Sequence, residues 1–410
     1  LGAGIAVNAL GHAHPALVNA LTEQAHALWH VSNLYNIPQQ QALADKLVEH
    51  TFADTVFFTN SGTEGIEVAL KYARAATAKS RFIHCERAYH GLTMGALSLN
   101  GNEEFRDGFG SLIGPSTQIP FNDIDALRHE LEQGDVCAFV VEPIQGKGVN
   151  IPSSDYLRRA RELCTAHGAL FVLDEIQTGF GRTGTMWACE QFDVSPDIMV
   201  VAKALSGGYI PVGAVLSRRW IHDRVFSSME RCCVQQTTFS QNDLAMVAGL
   251  ATLDVIEQEG LIEHTRRIGT LLKDRLRGLA AKHDILHDVR GMGLMLALEF
   301  RRPRAFGPRT AWDAVHAMSD NLFCQAILMP LLAEHGVLAQ VAGHRLDVIK
   351  LIPPLVLQER DVDRIVDALD TTIGACEGFP GPAWSSLSRI AKNVVVKPRR
   401  RQRTVTPSQR

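Results

Sequence analysis

Short apolar runs alternate with amphipathic stretches along most of the chain. TVFFTN, RFIHCE, VCAFVVEPI, ALFVLDEI, DIMVVAK and GAVLSRR are nearly continuous apolar runs, the pattern of strands buried on both faces. Between them, ALADKLVEH, EGIEVALKYARAATA and SDYLRRARELCTAHG space their apolar residues three and four apart and predict helices, the last closing on Gly168. Buried strands separated by helices predict an α/β fold with a mostly parallel central sheet covered by helices. Ligands of such sheets lie beyond the carboxyl ends of the strands.

From HDILHDVRGMGLMLALEF onward the pattern continues as a smaller α+β C-terminal domain. The organisation expected is an N-terminal segment, 1–40, belonging to the small domain and pocket; a large domain, 41–284; a small domain, 285–376; and a basic tail or linker, 377–410. A chain of 410 residues is long for a single core, in keeping with that division.

Composition removes several function classes. With 46% hydrophobic and 21% charged residues and a net charge of −3, the chain has no electrostatic reason to take nucleic acid or an acidic membrane as partner. No apolar stretch approaches a membrane span. The 8 cysteines show no CxxC spacing, so a reducing, cytoplasmic setting is expected. The 16 histidines form no HExxH pattern, and no metal site is expected. The opening LGAGIAVNALGHAHP reads as the middle of a longer chain, and KPRRRQRTVTPSQR reads as a tail or a linker to a further, fused domain.

Four strand ends carry chemistry. FFTNSGTEGIEVAL turns from strand to helix through Ser61, Gly62 and Thr63, and Ser61 and Glu64 have capping-box spacing. Free N–H groups at such a helix start suit a phosphate. Glu142 follows a second strand in EPIQGKG, Asp174 ends a third, and Lys203 ends a fourth. A charge at the end of a buried strand is costly without a partner. A phosphate cradle, a buried acid and a buried lysine at one sheet edge suggest pyridoxal 5′-phosphate. The lysine would bond its aldehyde carbon and the acid would keep its ring nitrogen protonated.

The segments NSGTE, YHG, EPIQG, DEIQTGFGRTG, AKALSGGYIPVGAV, TTF, RGMGL and IPPLVL together resemble the class III aminotransferases, of the fold-type I pyridoxal-phosphate enzymes. The resemblance runs from Leu1 to about Gly374. It implies that Lys203 carries the cofactor and moves the proton, and that Asp174 pairs with the ring nitrogen. Gln177 would meet the ring hydroxyl, while Ile176 and Tyr89 would cover the two ring faces. Ser61, Gly62 and Thr63 would hold the phosphate. His90 belongs to the same cofactor motif, with a structural role as its simplest reading. Thr238 would reach the phosphate of the neighbouring subunit, which implies a homodimer with shared active sites. Tyr35, in HVSNLY, would contact substrate, and Glu142 either caps a loop or faces the pocket. Arg290 would organise a turn into a strand.

Two positions depart from the family pattern. Many relatives that handle α-amino acids carry an arginine before the xxPPL stretch and an acid after EPxQG, which together form a carboxylate gate. Here those positions are Lys350 and Lys147. A lysine attracts a carboxylate only as a point charge. The reaction expected is therefore transamination of a non-standard aldehyde, ketone or ω-amine with an ordinary amino acid as donor, passing through pyridoxamine phosphate. An acetylornithine- or ornithine-type aminotransferase, a pyridoxal-phosphate lyase or aminomutase, and a non-catalytic module of a larger protein are the alternatives.

Overall fold

The computed structural model describes residues 1–318, 322–343, 346–378 and Trp384; most of the expected tail, 377–410, lies outside them. Among these described residues, eleven strands form two sheets. The first contains β1 (Thr55–Thr59), β2 (Arg81–Cys85), β3 (Ser116–Ile119), β4 (Val136–Val141), β5 (Leu170–Asp174), β6 (Ile198–Val201) and β7 (Gly213–Ser217). Their spatial order is β1-β7-β6-β5-β4-β2-β3. The second sheet contains β8 (Leu286–Met292), β9 (Met295–Phe300), β10 (Gln340–Val341) and β11 (Val348–Leu351), in the order β10-β11-β9-β8.

The central strands are apolar throughout because both of their faces are covered. In β5, Phe171 and Leu173 join the larger core, whereas Leu170 and Val172 join a second core on the opposite face. β4 divides in the same way, with Phe139 and Val141 on one side and Ala138 and Val140 on the other. The helix Gly62–Thr77 covers the second face with Ile66, Ala69, Leu70 and Ala73. Burial of Ile66 alone removes about 2 kcal/mol worth of apolar surface from water. Gly65 allows this helix close to the sheet, since a Cβ there would lie 2.6 Å from the Val200 side chain.

The pairings β2–β3, β2–β4, β4–β5 and β5–β6 are parallel, as the pattern predicts. GAVLSRR is the exception: β7 runs antiparallel to both β6 and β1. Only a short 3₁₀ turn, Lys203–Ser206, and a glycine-rich link join β6 to β7, and no crossover helix is available to bring the chain back in parallel. The small sheet is antiparallel throughout. Arg182 ties it to the large one, donating to the carbonyls of Leu294 (3.2 Å) and Pro353. The N-terminal segment packs between them: Ala9 O accepts from Leu355 N (2.7 Å), and Leu10 and Leu17 enter the main core.

No helix among the described residues is long and apolar enough to cross a membrane.

Candidate active site

The carboxyl ends of parallel strands point to one edge of a sheet, and a cavity of about 740 Å³ opens there. β1 delivers Ser61, Gly62 and Thr63 to it through the turn into the following helix. β4 delivers Glu142, Gly146 and Lys147; β5 delivers Asp174, Ile176 and Gln177; β6 delivers Lys203. The loop after β2 adds Tyr89 and His90, and β11 adds Lys350.

Ser61 caps the helix Gly62–Thr77, its hydroxyl accepting from Glu64 N (3.3 Å), while the Glu64 carboxylate reaches back to Asn60 N (2.7 Å). This reciprocal pair fixes the turn whose N–H groups face the cavity. Gly62 leaves room for Ile176, since a Cβ there would fall 2.7 Å from Ile176 Cδ1 and push that side chain aside. The two acids at the end of β5 part company. Asp174 faces the cavity, whereas Glu175 is buried and accepts from Ala188 N (3.1 Å), Cys189 N (2.8 Å) and Thr178.

Asp174 is held on both oxygens. Oδ1 accepts from Ile176 N (3.0 Å), and Oδ2 lies 2.7 Å from Nδ1 of the fully enclosed His90. Burial would lower the His90 pKa, but the bond to Asp174 and the charges of Asp174 and Glu142 carry it above its ordinary value. His90 is in turn fixed by Asn100, whose side chain accepts from His90 N (2.7 Å) and donates to Gly91 O (2.8 Å). Glu142 both braces loops and lines the cavity: it accepts from Tyr89 N (3.1 Å) and Gly146 N (2.8 Å). Burial pushes its carboxyl up to about 7.

Lys203 occupies a left-handed backbone conformation, φ 42°, uncommon for a non-glycine residue and typical of strain kept at functional sites. Its ammonium has no hydrogen-bond or ion-pair partner among the described residues. Burial lowers its pKa, against the opposing charges of Asp174 and Glu142.

These residues fit pyridoxal 5′-phosphate on two structural observations. Nε2 of His90 is buried without a partner beside a carboxylate already turned into the cavity, so the polar cluster is incomplete as it stands. The turn at Ser61–Thr63 offers backbone donors behind a glycine that admits close approach, as a phosphate needs.

The two lysines at the departing positions are not free. Lys350 Nζ donates to Gly146 O (2.7 Å) and Gln177 Oε1 (2.9 Å), and burial together with the charge of Lys203 lowers its pKa to about 8. Lys147 forms an ion pair with Glu104. One expected substrate contact, Tyr35, does not line this cavity, and Thr238, expected at the neighbouring subunit's site, lies on the surface. Tyr35 is 68% exposed on a surface turn, where Tyr35 N donates to Ser32 O (3.0 Å), so it is not a pocket residue of its own subunit. Thr238 is exposed in the segment after the short helix Met229–Arg231. Arg290 lies elsewhere, bonded to Gly148 O (2.7 Å) and Val149 O (3.1 Å) and ion-paired with Glu299.

Asn100, Glu104 and Phe105 escaped the sequence reading. Each lies outside a strand end, and nothing in NGNEEFRD marks chemistry; an acid and an aromatic residue side by side are the only trace.

Comparison with known proteins agrees with this geometry. A family model described as aminotransferase class III matches residues 1–373. The acetylornithine aminotransferase of Methanosarcina mazei is 40% identical over 370 residues, covering 90% of this chain and 85% of its own length. Aminotransferase PigE of a Serratia species is 34% identical over 406 residues, covering 90% of this chain and 48% of its own. Among solved structures, the ornithine aminotransferase of Toxoplasma gondii, with PLP at partial occupancy in its active site, superposes with a TM-score of 0.82. It is 30% identical, and the match covers 92% of this chain and 86% of that one.

Proposed function

The chain belongs to the class III aminotransferases, its cofactor is pyridoxal 5′-phosphate, and from that premise we propose that the cavity transfers amino groups from terminal amines through Lys203. The observation that carries the proposal is the meeting, in one cavity, of an unpartnered and strained Lys203 with an Asp174 fixed on both oxygens.

Bound pyridoxal 5′-phosphate supplies an aldehyde that condenses with amines and a protonated ring that takes up electrons from a breaking C–H bond. Ser61, Gly62 and Thr63 hold its phosphate in this reading, and Ile176 and Tyr89 cover its ring. Asp174 keeps the proton on the ring nitrogen, and Gln177 receives the ring hydroxyl. Lys203 Nζ takes the proton from the amine-bearing carbon, and its lowered pKa favours the neutral form that a base requires.

Of the two substrate readings, the acetylornithine type has the better support among relatives, several of which carry that name. It implies a terminal amine on a carbon chain ending in a carboxylate. An uncharged amine or aldehyde is supported by one observation, the engagement of Lys147 and Lys350 by the chain's own groups. A homodimer in which Thr238 serves the neighbouring site is part of the proposal, as is a division into a large domain, 41–284, and a small one, 285–376, in line with the change of sheet between Ser217 and Leu286. The 8 free thiols support a reducing, cytoplasmic setting.

Steady-state kinetics with a donor amine and a keto acid test this reading. Parallel double-reciprocal lines are expected, because the two substrates take turns at one site. Release of free ammonia instead of amino transfer would favour a lyase.

A further inference from the structure

The lysine and arginine side chains lining the cavity are, among the described residues, Lys147, Lys203 and Lys350. Lys203 stands at the reaction end. Lys350 is buried and already donates to Gly146 O and Gln177 Oε1. That leaves Lys147 as the cation best placed to meet a charged substrate tail, and Glu104 occupies it.

The pair is built into the wall. Lys147 is only 7% exposed, and its stem runs over Gly343, where a Cβ would lie 2.4 Å from Lys147 Cγ. Its ammonium lies 5.4 Å from the centre of the Phe105 ring, and Phe105 meets Tyr89 edge-on, with ring centres 5.3 Å apart. Glu104 and Phe105 are neighbours on the one-turn helix Glu103–Arg106. The same short segment thus neutralises the lysine and supplies an aromatic wall. Beside it the cavity is lined by Ile5, Leu92 and Ile210.

We propose that Glu104 determines specificity: by holding Lys147 in an ion pair it leaves the outer cavity without net charge, so that amines and aldehydes with uncharged, apolar tails are taken in preference to those ending in a carboxylate. The idea rests on the transaminase reading and narrows its substrate. Lys147 is then no longer available as a point charge, and the neutral pair offers an incoming carboxylate no attraction.

Hexylamine and 6-aminohexanoate make a matched pair, alike in length and differing in the carboxylate. The cofactor-loaded wild type is expected to favour hexylamine in kcat/KM. Glu104→Gln, which keeps the side-chain size and frees Lys147, is expected to shift that ratio toward 6-aminohexanoate by about tenfold or more. Calorimetric titration of the loaded protein with hexanoate reads the same site without turnover, and binding is expected to tighten in E104Q. A wild type that prefers 6-aminohexanoate, or an E104Q protein unchanged in both measurements, overturns the proposal. If neither amine reacts, the hexanoate titration alone decides the role of Glu104, and the transaminase reading is tested separately by pyridoxamine 5′-phosphate formation with other amines.

Discussion

His90 Nδ1 and Asp174 Oδ2 lie 2.7 Å apart in a cluster shut off from solvent, and Asn100 fixes the His90 backbone from behind. A buried carboxylate is costly unless donors satisfy its oxygens. His90 and the amide of Ile176 are those donors here.

Replacing His90 with Leu removes one charge-assisted bond, worth about 1.5–3 kcal/mol, from the group proposed to hold the ring nitrogen. A fall in kcat of about tenfold to a hundredfold is expected, with a shift in the pH at which the bound cofactor changes its absorption. His90→Asn, which can place a donor near the same point, should recover part of both. An H90L protein with an unaltered absorption titration would show that the pair is structural only.

Lys350 makes a prediction about pH. Its pKa falls from 10.5 to about 8, chiefly through burial, with the charge of Lys203 adding to the effect and Glu142 opposing it. Between those values the unfolded chain holds a proton that the folded chain has released, so this group makes stability rise with pH. The slope from one such group approaches about 1.4 kcal/mol per pH unit. Denaturant unfolding of the cofactor-free protein across that window should show a steeper rise in wild type than in Lys350→Met. Equal slopes would mean that the lysine titrates normally.

Lys203 combines a left-handed backbone with a partly buried ammonium whose pKa desolvation lowers. Both cost stability, the backbone alone by about 1 kcal/mol or more. Lys203→Gly relieves both, so the cofactor-free variant should unfold about 1–2 kcal/mol later than wild type while losing amino transfer altogether. A less stable K203G protein would place the strain elsewhere.

Much of this architecture was legible in the sequence because the central strands are buried on both faces and therefore apolar at every position. The polar residue ending each run stood out against that background: Asp174 after ALFVL, Lys203 after DIMVVA. The sense of β7 was not legible, since an apolar run has no direction; the short link from Lys203 to Val212 was the clue, as it leaves no room for a crossover. β3 was missed because it is an edge strand whose STQI sequence is polar at three of its four positions. Pairing between side chains far apart in sequence was also hidden. Lys147 and Lys350 drew attention as departures, but their engagement by Glu104, Gly146 and Gln177 depends on loop geometry that no local pattern encodes.

A half-reaction shows whether Lys203 carries amino transfer. The cofactor-loaded protein is mixed with one amine at a time and no acceptor, then denatured, and the released cofactor is identified by chromatography and mass. Pyridoxamine 5′-phosphate in amounts matching the active sites is expected from wild type with at least one amine, and from no amine with Lys203→Ala. Recovery of unchanged pyridoxal 5′-phosphate from wild type with every amine would rule out amino transfer through Lys203.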